Sequence, residues 1–256
     1  MIQLRGPHRH VSGHAHTAYS GYRWSELSNA IGARRRSLFE GAEWSSIPWS
    51  NREKSIRTKL LDVATPIPGL LEKADSKTVL SGNEVVALIQ ELCSARKRLY
   101  MWKATLDSQL SRYDRDSSLE TGSNPEYFSL FGLDISHAML NFWAFLIVVQ
   151  STINRLRARL PESHLAAMPS TNDADRDTCA NSIFQCMGYS LSEEAGAAAS
   201  QAVTLPIAVA AEYYASHPRT AGKLRSFIQT LCDPSKSGPS GPLIGAFIIA
   251  ARGIQP

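Results

Sequence analysis

The feature that most constrains this chain is a long apolar stripe that follows a helix-capping sequence. Ser81-Gly82-Asn83-Glu84 is a capping box: the serine oxygen can accept a hydrogen bond from the backbone three residues on, and the glutamate can reach back. Large apolar residues then recur at steps that combine threes and fours over roughly eight helical turns. The spacing predicts one amphipathic helix with a stripe formed by Val85, Leu88, Leu92, Leu99, Leu106, Leu110 and Tyr113.

The remaining segments have the same helical character. Helices are predicted over about 22–39, 55–64, 136–160, 173–187, 190–216, 218–231 and 243–251. They are separated by a Trp- and Pro-containing connector over 43–49, by the prolines of 65–69 and by polar loops at 116–124, 161–172 and 235–241. Pro206 is expected to kink or split its helix. No alternating strand pattern of convincing length occurs, and no shift in composition marks a boundary, so the prediction is one all-α domain over 1–256.

The most apolar stretch, 138–149, is too short to span a bilayer, which needs about 20 residues. We therefore expect a buried core helix there and no membrane contact. The net charge of +4, from 27 Lys and Arg against 23 Asp and Glu, is compatible with DNA contact but does not argue for it. Four cysteines without a C-x-x-C pair indicate free thiols in a reducing compartment.

Three groups of residues were weighed as sites. Imidazoles at the spacing of His8, His10, His14 and His16 could bind zinc or copper, but surface histidines near a terminus are the favoured interpretation. Cys179 and Cys186 match one internal spacing of a binuclear zinc cluster, yet such a cluster needs six cysteines; both are expected to face the core. Three basic runs could serve nuclear import or phosphate binding, although solvated helix faces are favoured: Arg34-Arg35-Arg36, Arg96-Lys97-Arg98, and Arg155 with Arg157 and Arg159.

Signatures of the common catalytic and nucleotide-binding motifs are missing from the sequence. We therefore predict that the chain is not an enzyme and has no catalytic residues, no metal ligands and no cofactor; cofactor-binding residues stay unassigned. The five tryptophans could line a pocket or a partner surface, with ordinary core packing the more probable role for each: Trp24, Trp44, Trp49, Trp102 and Trp143.

Several short segments follow one another in an order that is more specific than any of them alone. They are Leu4-Arg5-Gly6-Pro7 with Ser12-Gly13 and His16, Arg34 to Phe39, Glu43-Trp44 with Ile47-Pro48-Trp49, Asp62-Val63 with Pro68-Gly69-Leu70-Leu71-Glu72, Cys186-Met187-Gly188-Tyr189, and Leu205-Pro206. Together, from about Ile2 to Gly253, they resemble the C-terminal regulatory region of fungal transcription factors of the six-cysteine binuclear zinc-cluster class.

The resemblance implies an all-helical regulatory domain of a nuclear transcription regulator, often near secondary-metabolism genes. Members carry an N-terminal zinc cluster that reads DNA, and this sequence has no counterpart of it; the expectation is a truncated gene model or a natural stand-alone descendant. The function expected is an effector or dimerisation domain that acts through protein contacts, a homodimer among them, and through a small-molecule effector, without specific DNA binding of its own. The alternative is a stand-alone helical enzyme or small-molecule-binding protein.

Overall fold

The structure, a computed structural model, describes residues 2, 5–76, 80–113, 132–165, 173–191, 196–217, 220–237, 241–242 and 244–246. Every regular element in these ranges is helical, which confirms the all-α prediction. The chain divides into two compact units, one made of 1–113 with 149–171 and the other of 114–148 with 172–256. That 1–256 forms a single domain stays a prediction.

The first unit is built around one long helix. Its elements are a 3-10 turn Pro7–His10, α1 Gly13–Gly32, α2 Ala42–Ser46, a 3-10 turn Ile47–Trp49, α3 Ile56–Ala64, α4 Ile67–Ala74, α5 Gly82–Tyr113, the end of α6 (Leu133–Arg157) and α7 Glu162–Leu165. Helices α3 and α4 pack on α5, and α1 packs on α4. The Trp102 indole also donates a hydrogen bond to the Ile56 carbonyl (3.0 Å), which ties α5 to the start of α3.

Helix α5 begins at the predicted capping box. The backbone N–H of Ser81 donates to Glu84 Oε2 (2.7 Å), and the N–H of Glu84 donates to Ser81 Oγ (3.4 Å). The bond from the Ser81 backbone N–H and, second, one from the Ser81 hydroxyl (2.8 Å) lower the pKa of the Glu84 carboxyl. The stripe is buried from Val85 to Leu110, as predicted, with Ile89, Ala95 and Trp102 added to it; the Tyr113 side chain lies outside the described residues.

The first helix differs from its predicted bounds of 22–39, since α1 spans Gly13–Gly32. At its end the N–H of Arg35 donates to the Ala30 carbonyl (3.0 Å) and the N–H of Arg34 to the Ile31 carbonyl (3.1 Å). This bond pair is the Schellman pattern that closes helices, and Arg34 takes its left-handed position with φ 51°. Glycine is the usual residue at this position, so an arginine there does not mark the end of a helix.

Prolines follow the end of α3, as predicted, but a further helix, α4, begins among them where none was predicted. Helix α3 ends at Ala64, and α4 begins at Ile67, with only two residues between them. Pro68 lies in the first turn of α4, where a missing backbone N–H removes no helical bond. Similarly, the connector over 43–49 forms two short helical segments instead of an irregular link.

An aromatic cluster lies where the N-terminal segment meets the Trp connector. Tyr19, Phe39 and Trp49 are buried, with Trp44 packed on them. The Tyr19 hydroxyl donates to the Trp44 carbonyl (2.6 Å), and burial raises the pKa of Tyr19 to about 12. This cluster packs the segment that connects α1 to α3 against α1.

The second unit comprises residues 133–148 of α6 together with α8 Asp173–Ser190, α9 Gly196–Ser216, α10 Ala221–Cys232 and α11 Pro234–Ser237. Helix α9 packs on α8 and α10, and α11 packs on α8 and α10. By length and composition α6 could cross a membrane, but 78% of its apolar window is buried, as in the core helix expected from the sequence.

Pro206 lies inside α9 without splitting it, contrary to one of the two predicted outcomes. Because proline has no N–H, the carbonyl four residues earlier, that of Ala202, lacks its helical donor. The buried Asn141 side chain of α6 supplies one, with Nδ2 donating to the Ala202 carbonyl (2.9 Å) and to the His137 carbonyl (2.9 Å). An asparagine from a neighbouring helix therefore compensates for the proline.

Three further predictions need comment. Ser190 ends α8 instead of opening the next helix, and the rest of that capping box, 192–193, lies outside the described residues. Pro234–Ser237 is helical where a flexible loop was predicted from 235. The loop at 116–124 and most of the helix at 243–251 lie outside the described residues, whereas 244–246 are helical.

Candidate functional site

Two of the basic runs meet at one carboxylate in the first unit. Asp75 follows the last turn of α4, and its carboxylate is bound by Arg34 through Nε and Nη2 and by Arg155 through Nη2. Arg34 comes from the left-handed residue after α1, and Arg155 from the last turn of α6. Side chains 121 positions apart in the chain, at 34 and 155, thus share one anionic group. We call Arg34, Asp75, Arg155 and Arg159 the arginine cluster.

The arginine cluster carries more positive than negative charge. Arg159 Nη1 donates to the carbonyl of Ala74 (3.4 Å), next to Asp75, and Arg34 Nη2 also reaches Thr152 Oγ1 (3.4 Å). Partial burial alone would raise the pKa of Asp75, but the hydrogen bonds and charges of Arg34 and Arg155 outweigh it and hold that pKa below its ordinary value. Asp75 is therefore ionised at neutral pH, with two guanidiniums on its carboxylate and a third, of Arg159, on the adjacent backbone carbonyl.

The first basic run differs from the predicted solvated helix face. Arg34, Arg35 and Arg36 follow α1 instead of lying on it, and Arg36 pairs with Glu40 (3.2 Å). Lys97 is exposed on α5, as expected for a solvated face.

A second feature of the first unit is an open groove of about 530 Å³ between α4 and α5. Charges of both signs line it, and the Lys73 ammonium pairs across it with Glu91 (3.1 Å). Both partners are half exposed, so the pair can open towards a ligand at little cost. The polar lining consists of Glu40, Lys73, Gln90, Glu91, Ser94 and Arg98.

Gly69 shapes one wall of this groove. A Cβ at this position would lie 2.9 Å from Glu40 Oε2, so the missing side chain lets the Glu40 carboxylate lie against α4. The carboxylate is thereby held beside the first turns of α4, where backbone N–H groups favour negative charge.

Deeper in the first unit, a buried arginine joins α1 to α3. Arg23 Nη2 donates to Asp62 Oδ1 (2.5 Å) and to Thr65 Oγ1 (3.4 Å), and its guanidinium lies 5.1 Å from the centre of the Trp49 ring. The Lys54 ammonium binds the other oxygen of Asp62 (2.5 Å). Nε and Nη1 of Arg23 are buried without a hydrogen-bond partner in the described part of the chain. The Arg23 guanidinium is enclosed, at 2% accessible, whereas Asp62 and Lys54 are 21% and 25% accessible, so the buried arginine is the part of this network that ties α1 to α3.

The N-terminal histidines separate into two kinds. His8 and His14 are exposed, but His10 and His16 are buried, so the expectation of four surface histidines is wrong for these two. His10 Nδ1 faces the Ala15 carbonyl (3.1 Å), and His16 Nδ1 faces the His10 carbonyl (2.9 Å). Both rings thus bond to the backbone. No group of three or more His, Cys, Asp or Glu side chains suited to a metal ion occurs among the described residues.

Cysteines and tryptophans have mostly packing roles. All four cysteines are free, and Cys179 and Cys186 are buried as predicted. Burial raises the pKa of each of these two thiols to about 12, so they are weak nucleophiles. Trp24, Trp49, Trp102 and Trp143 are buried and Trp44 is half-buried, which fits core packing.

Sequence reasoning missed Asp75 and the roles of Glu40 and Gly69. Asp75 was not singled out, because a lone aspartate after a helix carries no motif. The runs at 34–36 and 155–159 were named as phosphate-binding candidates, but nothing in the sequence indicated that they meet. Comparisons with family models, curated proteins and solved structures find no match, so the resemblance to zinc-cluster factors stays a prediction.

Proposed function

We propose that this chain is a regulatory domain of the fungal zinc-cluster transcription factor type that recognises a small polar effector carrying both charges in the α4–α5 groove. The observation that carries the ligand is the lining of that groove, where Glu40, Lys73, Glu91 and Arg98 offer charges of both signs. A zwitterion can exchange its own charges for the exposed Lys73–Glu91 pair, so no charge is left without a partner.

Contacts with a partner protein form the second half of the proposal. Large apolar side chains are exposed on α5, with Met101 60% and Tyr100 44% accessible. Tyrosine and methionine are enriched in protein interfaces relative to the rest of the protein surface. They lie on the helix that also forms one wall of the groove, so a ligand there could change how α5 is presented. The partner is a second copy of the chain or another nuclear protein.

The regulatory role can be tested by fusing the full chain to an unrelated DNA-binding module in a fungal reporter strain. We expect reporter transcription to change relative to the module alone, and the change to weaken in Glu91→Ala and Met101→Lys. Lys97→Ala, which removes an exposed charge from the same helix away from the groove lining, serves as the matched control. A fusion that behaves like the module alone in every medium would contradict the regulatory role.

The ligand is tested separately with purified chain. Free amino acids and dipeptides, as zwitterions, should raise the melting temperature of the wild type and not that of Glu91→Ala. Binding without any reporter response would favour the alternative, a stand-alone helical small-molecule-binding protein or enzyme. We further propose that the chain alone has no sequence preference for DNA; its weak duplex binding should disappear near physiological salt.

A further inference from the structure

We propose that the arginine cluster is a binding site for a phosphoryl group, either free phosphate or a small phosphate monoester. The proposal concerns a different site from the groove and does not depend on it. Its starting point is the charge balance: Arg34 and Arg155 bind Asp75 and Arg159 binds the adjacent Ala74 carbonyl, so these four residues carry an excess of two positive charges.

The hydrogen-bond pattern leaves donors for a ligand. Within the described part of the chain, the Asp75 carboxylate accepts hydrogen bonds from Nε and Nη2 of Arg34 and only from Nη2 of Arg155. A guanidinium has five N–H donors in a fixed fork, so several of them remain on each arginine. The side chains are partly open to solvent, with Arg34 31% and Arg155 43% accessible, so a ligand can reach them without unfolding anything.

The backbone holds one of these arginines in advance. Arg34 has φ 51°, at a helix-closing position that glycine usually fills. Its guanidinium is fixed from two sides, by Asp75 and by Thr152 Oγ1 (3.4 Å). A side chain that is already ordered loses little freedom when a ligand binds, which favours affinity. The left-handed conformation that closes α1 thus also carries the Arg34 side chain into the arginine cluster.

A simpler explanation of the arginine cluster is that its cations balance the partial negative charge at the C-terminal end of α4. This explanation accounts for part of the cluster. The C-terminal end of a helix attracts cations, and Arg159 does bond the Ala74 carbonyl there. One cation is enough for that role, and one more balances Asp75. The last turn of α6 likewise favours a cation at Arg155, but a helix terminus carries only about half a unit charge, so the cluster keeps a positive excess. A phosphate group, with a charge of about −1.5 to −2 at neutral pH, fits the excess and the planar forks of arginine.

The test is a titration of the purified full chain with inorganic phosphate and with glycerol phosphate, at constant ionic strength set by chloride, with acetate as the monoanion. We expect saturable binding of both phosphates and much weaker binding of acetate. A tighter monoester indicates an organic phosphate as the natural ligand, and equal affinities indicate free phosphate. Absence of saturable binding by either phosphate would overturn the proposal.

Variants separate the site from general charge. Arg155→Ala should weaken phosphate binding about tenfold or more, as expected for the loss of a charge-assisted hydrogen bond. Lys97→Ala changes the net charge equally on exposed α5 and should alter the affinity less than twofold. Asp75→Asn removes the competing anion and should strengthen binding. Equal weakening by Arg155→Ala and Lys97→Ala, or weaker binding in Asp75→Asn with the fold intact by circular dichroism, would refute the assignment.

Discussion

Asp62 and Asp75 lie in the same unit, are similarly accessible at 21% and 28%, and are each held by two cationic side chains, but their principal partners differ in burial. Arg23, the main partner of Asp62, is 2% accessible, whereas the partners of Asp75 are 31% and 43% accessible. The same pair of residue types therefore makes an enclosed structural network in one place and an open cluster in the other. Burial, and not residue type, decides which of them is available to a ligand.

The inner network, formed by Arg23, Lys54, Asp62 and Thr65, joins elements that are distant in sequence. Arg23 of α1 reaches Asp62 and Thr65 at the end of α3, and the Trp49 ring covers it at 5.1 Å. A buried charge is strongly unfavourable without its partner, because the surroundings cannot solvate it. The network is thus sensitive to the loss of either member.

The arginine cluster is the outer of the two groups, and its exposure to water weakens each ion pair. Surface pairs contribute about 0–1 kcal/mol because solvent screens them and side-chain entropy opposes them. The outer cluster should therefore matter little for folding and more for binding. Four predictions test this contrast.

The largest expected effect is at Asp62. Asp62→Ala leaves Arg23 charged and enclosed, and we expect a loss of about 3–5 kcal/mol in the free energy of unfolding, measured by urea denaturation. Glu53→Ala is the matched control, since that carboxylate is 90% accessible and pairs with Lys59 only at 3.8 Å; it should stay within about 0.5 kcal/mol. Similar losses in both variants would show that the inner network is not enclosed.

The second prediction compares the stability lost at the inner network with the stability lost when an ordinary core side chain is truncated. Leu92 is fully buried in the stripe of α5, so Leu92→Ala should cost about 2–5 kcal/mol. Lys97→Ala, on an exposed face of the same helix, should change stability by no more than about 0.5 kcal/mol. If Leu92→Ala were as mild as Lys97→Ala in the same melts, the assigned face of α5 would be incorrect.

The reach of sequence reasoning follows the same division between local and distant contacts. The α5 stripe and the box at Ser81 and Glu84 were predictable, because both depend on residues three or four apart. The left-handed Arg34 was not, since glycine marks that position in most helices and no local signal replaces it. The backbone donor that Pro206 lacks was predictable, but the helix stays unbroken, and the side chain that replaces the donor, Asn141, comes from another helix.

The candidate sites show the limit more clearly. Arg34 and Arg155 were named from the sequence, but as parts of separate runs. Their meeting at Asp75 depends on how α1, α4 and α6 pack, and no spacing along the chain encodes it. The same is true of Glu40 over Gly69, where a close contact is visible only once α4 is in place.

The third prediction concerns Asp75 and acid. Asp75→Asn should cost no more than about 1 kcal/mol at pH 7, because the cluster is open to solvent. The pKa of Asp75 is lowered below 3.8 in the fold, so its ionised form stabilises the protein above the unfolded-state pKa. That contribution is lost as the pH falls through the folded-state pKa. Urea melts should therefore show the difference between wild type and Asp75→Asn shrinking below about pH 4; a difference independent of pH would contradict the ion pairs.

The smallest expected effect is at Arg34, where the backbone and the side chain oppose each other. Arg34→Gly removes its ion pairs but relieves the left-handed strain at φ 51°, so its stability should lie within about 0.5 kcal/mol of wild type. Arg34→Ala loses the same side chain and keeps the strain, so it should be about 1 kcal/mol less stable than Arg34→Gly. At Lys97, inside α5, the order should reverse, with glycine about 1 kcal/mol less stable than alanine. Thermal or urea melts of the four variants measure both orders. Alanine more stable than glycine at both positions would mean that Arg34 is not held in the left-handed conformation, and the outer cluster would lose the element that orders it in advance.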